Sequence, residues 1–273
     1  MNRWLRGAAA VRDEGSRRVV DHRVSVHAGS LTYGAFLSLP PLVLLALSVV
    51  GFVLSGRPDA QKEIADALVA AIPGLTPVAG PWIDSVVDGR TVLGVLAVPT
   101  VVYTGLGVIA RARAALADVF ALPPTGLVQF RLQGLPLLVP LGVAFLALVV
   151  GISYISSLSY TRRLERLDEV LALTGVSVVA VGWAFVSFWL LTPGRPVHPR
   201  EHWPGAVAFG ISFVVVQRVA ALLVPLVGQD VALYGALSAT FGLLAYIYAL
   251  AFSFLLSAEL SDWYGGVRAS PGL

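Results

Sequence analysis

Apolar positions along this chain gather into six long runs: 30–54, 92–110, 134–160, 170–191, 205–227 and 231–258. A helix needs roughly 20 mostly apolar residues to cross the hydrocarbon core of a bilayer, and each run is about that long or longer. Arg218 is the one charged residue inside any of them. The pattern predicts six transmembrane helices joined by short connections: a membrane domain over 24–262, an N-terminal segment over 1–23 and a tail over 263–273.

Polar positions between the runs add detail. In the connection 56–90, Ile64, Ala65, Leu68, Val69 and Ile72 recur at helical spacing, with Asp59, Glu63 and Asp66 on another face. Pro73-Gly74 closes that segment, and Pro81-Trp82-Ile83 opens a second one. Two short amphipathic helices capping the bundle are expected, with Trp82 as an interfacial anchor. After the second run, 111–122 reads as an amphipathic continuation. Leu116, Val119 and Phe120 share one face, Arg111 and Asp118 lie off it, and Pro123-Pro124 stops it.

Composition agrees with the pattern. Charged residues make up 13% of the chain and hydrophobic ones 57%, against about 25% charged in a soluble domain. With no cysteine, disulfides, thiolate metal sites and cysteine nucleophiles are excluded. The N-terminal stretch lacks the apolar core of a secretory signal. The net charge of +3 does not point to nucleic acid, because the cations sit in loops beside apolar runs. Twelve lie on the side of the termini, including Arg3, Arg6, Arg12, Arg17, Arg18 and Arg23, and six on the other. The positive-inside rule then places both termini in the cytoplasm.

Four features bear on chemistry. His198-Pro-Arg-Glu-His202 matches H-x-x-E-H, an inverted zinc-peptidase pattern. Pro196, Pro199 and Pro204 crowd it, however, and proline breaks the helix that pattern requires. A polar loop before the fifth run is expected, with no metal and no cofactor. Pro40-Pro41 interrupts the first run. Two missing backbone donors there predict a kinked or two-part helix, with Thr32, Tyr33 and Ser38 available to satisfy freed carbonyls. Arg218, beside Gln217, costs at least ~2.5–3.5 kcal/mol to insert. It is expected to face the bundle interior, a polar cavity or a partner such as Asp230, Glu259, Tyr234, Tyr246 or Tyr248. Small residues, Gly235, Ser238, Ala239 and Gly242 in the last run and Ala206 and Gly210 in the fifth, predict close helix packing.

Leu31-Thr-Tyr-Gly-Ala-Phe-Leu-Ser-Leu-Pro-Pro-Leu42 resembles the Y-x-x-x-x-S-x-x-P signature of the YihY/virulence factor BrkB family of inner-membrane proteins. Three later segments agree in order. Ala114–Pro123 resembles the family's helix after the second span, and Trp203-Pro-Gly-Ala206 the opening of its fifth. Leu233-Tyr-Gly-Ala236, then Tyr246-Ile-Tyr248 and Ala258-Glu-Leu260, resembles its last span. The resemblance covers about 25–265. It implies six spans, cytoplasmic termini and a bacterial inner-membrane location. The family's links to serum resistance and envelope lipid traffic imply transport. Its former ribonuclease BN label finds no support in these residues, which offer no clustered metal-binding carboxylates. Asp118 stands where an asparagine often precedes the family's aromatic.

The expected protein is therefore an all-α, six-span membrane protein without enzymatic activity. It is expected to transport or handle lipid, acting on an anionic or amphipathic substrate. Arg218 and Gln217 are the candidate contacts to the polar group, Pro40 and Pro41 line the path, and Tyr33, Tyr234 and Glu259 complete the polar interior. The alternative is a scaffold that forms homo-oligomers among membrane lipids.

Overall fold

A computed structural model describes residues 15, 17–53, 90–122, 134–143, 165–192, 199–228 and 235–269. The connection 56–89, most of the third apolar run, His198, Asp230 and Tyr234 lie outside the described residues. Almost every described residue is helical, and no strand occurs among them. A short helix α1 occupies 17–21. It is followed by α2 (Val24–Val53), α3 (Arg90–Val119), α4 (Gly134–Val143), α5 (Glu165–Leu191), α6 (Pro199–Gly228) and α7 (Gly235–Ala269).

Among the described residues, three stretches are long and apolar enough to cross a membrane: Leu173–Leu191, Arg200–Leu222 and Thr240–Gly265. Helices α2 and α3 are 30 residues each, or about 45 Å at 1.5 Å per residue. Helix α7 continues to Ala269, so the expected tail over 263–273 begins as an extension of the last helix.

Local chemistry sets the helix ends. Helix α6 begins at Pro199 with Glu201 in its first turn. Proline at the first position loses a donor that would be unsatisfied anyway, and an acid there suits the helix dipole. Residues 199–202, expected in a loop before the fifth run, are therefore the first turn of α6. Helix α3 ends in a left-handed turn at Ala121 (φ 48°), with the Leu122 amide donating to the Ala117 carbonyl at 2.8 Å. That six-residue closure satisfies a terminal carbonyl before the prolines are reached. Arg23 takes the same left-handed conformation (φ 49°) and separates α1 from α2.

Helix α2 runs unbroken through Pro40 and Pro41, so it is not divided in two. The hydroxyls expected to serve the freed carbonyls are spent elsewhere. Thr32 donates to Ala28 at 2.7 Å and Ser38 to Ala35 at 2.8 Å.

Helix α2 packs against α3 and α7, and α6 packs against α7 and α5, so α7 joins the two hairpins. The core is built from small residues and phenylalanine: Ala28, Ala115, Ala184, Ala206 and Ala258 with Phe188, Phe209 and Phe254. In lipid, apolar side chains gain little by leaving solvent, so close packing holds helices together. Gly205 is one point of approach. A Cβ there would strike the backbone carbonyl of Ser257 and the hydroxyl of Ser261 on α7. Gly210 does the same against α5, where a Cβ would meet Val181 and stand 2.8 Å from the Ser177 carbonyl. Phe188 and Phe254 stack at 4.9 Å, and Trp183 sits 5.6 Å from both Phe209 and Phe254.

Candidate functional site

Charged side chains collect at the end of the bundle where α2 and α6 begin and α3 and α7 finish. Asp262 accepts from Arg18 at 3.2 Å, and the Glu259 carboxylate meets His22 Nδ1 at 2.5 Å. His27 Nε2 meets Asp118 at 2.7 Å. Glu259 is buried, 5% exposed, and its second oxygen has no hydrogen-bond partner among the described residues. These contacts fasten the N-terminal segment across the end of α7. Residues 18–22 and 259–262 therefore share one end of the bundle, as termini on the same side require.

His202 lies in the same region, walled in by aromatic rings. It is buried, its ring set edge-on to Phe120 at 5.7 Å and tilted against Phe188 at 6.1 Å. Ser261 donates to its carbonyl at 3.4 Å. No group of three or more metal-ligating residues occurs among the described residues.

The residues singled out in the sequence do not converge as expected. Arg218 is exposed and Gln217 half-buried, so the cation turns outward rather than into the bundle. The buried stripe of α6 is His202, Ala206, Phe209 and Phe213. Continuing it by three or four residues reaches Gln217 and passes Arg218. Glu259 is not Arg218's partner either. Gly205 fixes the register of α6 against Ser257 and Ser261, and Arg218 lies thirteen residues further, about 20 Å along the axis. That register brings Tyr246, not Glu259, level with Arg218. On α2, Tyr33 and Pro40 are exposed and Pro41 is half-buried.

A cation that the sequence did not mark as a site residue is more deeply set than Arg218. Arg111 of α3 lies against Gly34 of α2 and Gly107 of its own helix. A Cβ at Gly34 would stand 3.0 Å from Arg111 Nη1, 3.2 Å from Cδ and 3.4 Å from Cζ. A Cβ at Gly107 would stand 3.0 Å from the same Nη1. Two glycines thus form a notch holding the guanidinium between α2 and α3. The Arg111 side chain makes no hydrogen bond or ion pair with another described residue. The sequence held half the signal, because Gly107 precedes Arg111 by four positions on one helical face. Gly34 emerges only from the helix register.

On the opposite flank, α5 and α6 enclose an open, apolar groove of about 730 Å³, lined by Val178, Val181, Phe185, Val207, Ile211 and Val215 among others, with Trp203 beside them.

Long apolar helices, small-residue packing and charges gathered at one end define a polytopic helical membrane protein. Comparison with known proteins gives the family. The chain belongs to the Virulence factor BrkB family, which matches residues 16–267. Inner membrane protein YhjD of Escherichia coli (strain K12) is 23% identical over 254 residues, covering 86% of this chain and 75% of that protein. An uncharacterized protein of Dickeya dadantii (strain 3937) is 28% identical over 101 residues, 36% of this chain and 31% of that protein. No solved structure matches. The match bears out the resemblance read from the ordered motifs.

Proposed function

We propose that this chain is a non-enzymatic transporter or lipid-handling protein of the bacterial inner membrane. It has six spans, its termini lie in the cytoplasm, and it acts on an anionic or amphipathic substrate. The observation that carries this reading is the Arg111 guanidinium, held in a glycine notch between two long helices with no partner among the described residues. A guanidinium seated between two helices instead of in a loop gives up hydration, which makes it a candidate functional position. The apolar α5–α6 groove supplies surface for a hydrocarbon tail. On this reading Gln217 and Arg218 on α6, Tyr33, Pro40 and Pro41 on α2, and Tyr234 and Glu259 meet the substrate at separate points along its route, not in one cavity. The cation bias toward the terminal side supports the cytoplasmic orientation, and the inner-membrane relative supports the location.

Flux of a fluorescent anionic amphiphile across reconstituted vesicles tests the reading. Wild-type protein accelerates it over empty vesicles, and Arg218→Leu, folded normally, slows it. Flux equal to that of empty vesicles sinks the proposal.

A second reading, a scaffold of associating copies, draws on the outward Arg218 beside exposed Val215, Val219 and Leu222. A second copy would cover that cation. Cross-linking of cysteines introduced at Val215 and Val219 in native membranes supports this reading; their absence from any cross-linked dimer removes it.

A further inference from the structure

Arg111 points the wrong way for a residue that merely reaches for water. A helical side chain leans toward the N-terminus of its helix. The N-terminus of α3 lies at the end of the bundle opposite Asp118 and the polar cluster. The contacts with Gly107, one turn back, and with Gly34 on α2 show the guanidinium following that lean. A long cationic side chain near a helix end ordinarily bends its charge toward the nearer interface; this one goes deeper. Asp118, the acid on the same face of α3, is seven residues away, about 10 Å along the axis, and is engaged by His27. The charge therefore sits about two turns further into the bundle than Asp118 and the polar cluster.

The notch also fits a ligand by its chemistry. A guanidinium presents five donors in a planar fork that matches two oxygens of a phosphate. Here two missing Cβ atoms make room beside Nη1, and no described protein group fills the fork. We propose that Arg111, seated between Gly34 and Gly107, binds a phosphate group at the polar-end boundary of the membrane, as a phospholipid headgroup presents it there. This deepens the transport reading by naming a binding point and the class of anion, and it rests on that reading for its physiological meaning.

Native mass spectrometry of the full chain in detergent tests it, with phosphatidylglycerol as the probe, diacylglycerol as the phosphate-free control and inorganic phosphate as the competitor. Wild-type protein retains phosphatidylglycerol and not diacylglycerol. Arg111→Met, which keeps the side-chain length without the charge, weakens retention about tenfold, the loss expected for a charge-assisted pair. Arg111→Lys restores part of it. Gly34→Ala weakens it with Arg111 intact, because the new Cβ would stand 3.0 Å from Nη1 and force the guanidinium to shift within the notch; this variant decides the matter alone if Arg111→Met does not fold. Competition by inorganic phosphate assigns the site to soluble anions, and lack of competition assigns it to the lipid. Both support phosphate recognition only when retention depends on Arg111. Equal retention of phosphatidylglycerol by wild type, Arg111→Met and Gly34→Ala overturns the assignment. Retention that depends on Arg111 without flux in vesicles would remove the transport reading and leave the site standing.

Discussion

Replacing Gly205 with alanine tests how α6 and α7 are held together. The added Cβ meets the backbone carbonyl of Ser257 as well as the hydroxyl of Ser261. A hydroxyl can rotate away, but a carbonyl inside a helix cannot, so the two helices must part. Their contact carries Ala206, Phe209, Phe254, Leu255 and Ala258, all buried. Forcing one methyl into such a site costs about 1–3 kcal/mol. The backbone obstacle puts this case at the upper end. Alanine also returns about 1 kcal/mol of helix propensity over glycine, leaving a net loss of about 2 kcal/mol. Gly182 on α5 and Gly242 on α7 have nothing within 4 Å of a new Cβ, so alanine there keeps the propensity gain without the collision. Denaturant unfolding in mixed micelles, followed by tryptophan fluorescence, should rank Gly205→Ala below wild type and Gly182→Ala and Gly242→Ala at or above it. Gly205→Ala as stable as Gly182→Ala would refute the close approach and the register built on it.

Other substitutions test the polar end and the core. His22→Ala removes the hydrogen-bond partner of the buried Glu259 carboxyl group, and leaving a buried acceptor unsatisfied costs about 1–3 kcal/mol. Adding Glu259→Gln should recover part of that loss, a coupling read by a double-mutant cycle in the same unfolding assay. His27→Ala breaks a pair whose Asp118 is exposed and should cost under about 1 kcal/mol. Phe188→Ala empties a fully buried site stacked on Phe254, with an expected loss of about 3–5 kcal/mol by unfolding. Metal analysis of purified protein should find no stoichiometric zinc, since His202 is walled in by Phe120 and Phe188.

The helices were legible because lipid imposes a simple rule: long apolar runs must be helical so that every backbone group pairs within its own segment. Small residues at helical spacing likewise pointed to close packing; Ala206 and Gly210 lie at such contacts, whereas Gly242 faces open space. The outward turn of Arg218 was also open to reading, since four buried positions on α6 fix a stripe that passes it by. The cost of a mid-span charge outweighed that phase, and cost alone does not say which way a side chain points. The charge pairs were not legible. His22 and Glu259 are 237 residues apart and Arg18 and Asp262 are 244, so neither pairing leaves a local trace. Glu259 stands among five candidate partners for Arg218 in the sequence, and only the contact of Gly205 with α7 sets the two about 20 Å apart. The notch around Arg111 combines a visible i, i+4 relation with a glycine 77 positions earlier in the sequence, and only the antiparallel register of α2 and α3 unites them.

An experimental structure of the full chain in nanodiscs containing phosphatidylglycerol tests the account most directly. It predicts a lipid phosphate within hydrogen-bond distance of the Arg111 guanidinium, between Gly34 and Gly107, with Glu259 held by His22 at the same end of the bundle. A guanidinium paired with a carboxylate of the chain or of a second copy, with no lipid phosphate beside it, would contradict it.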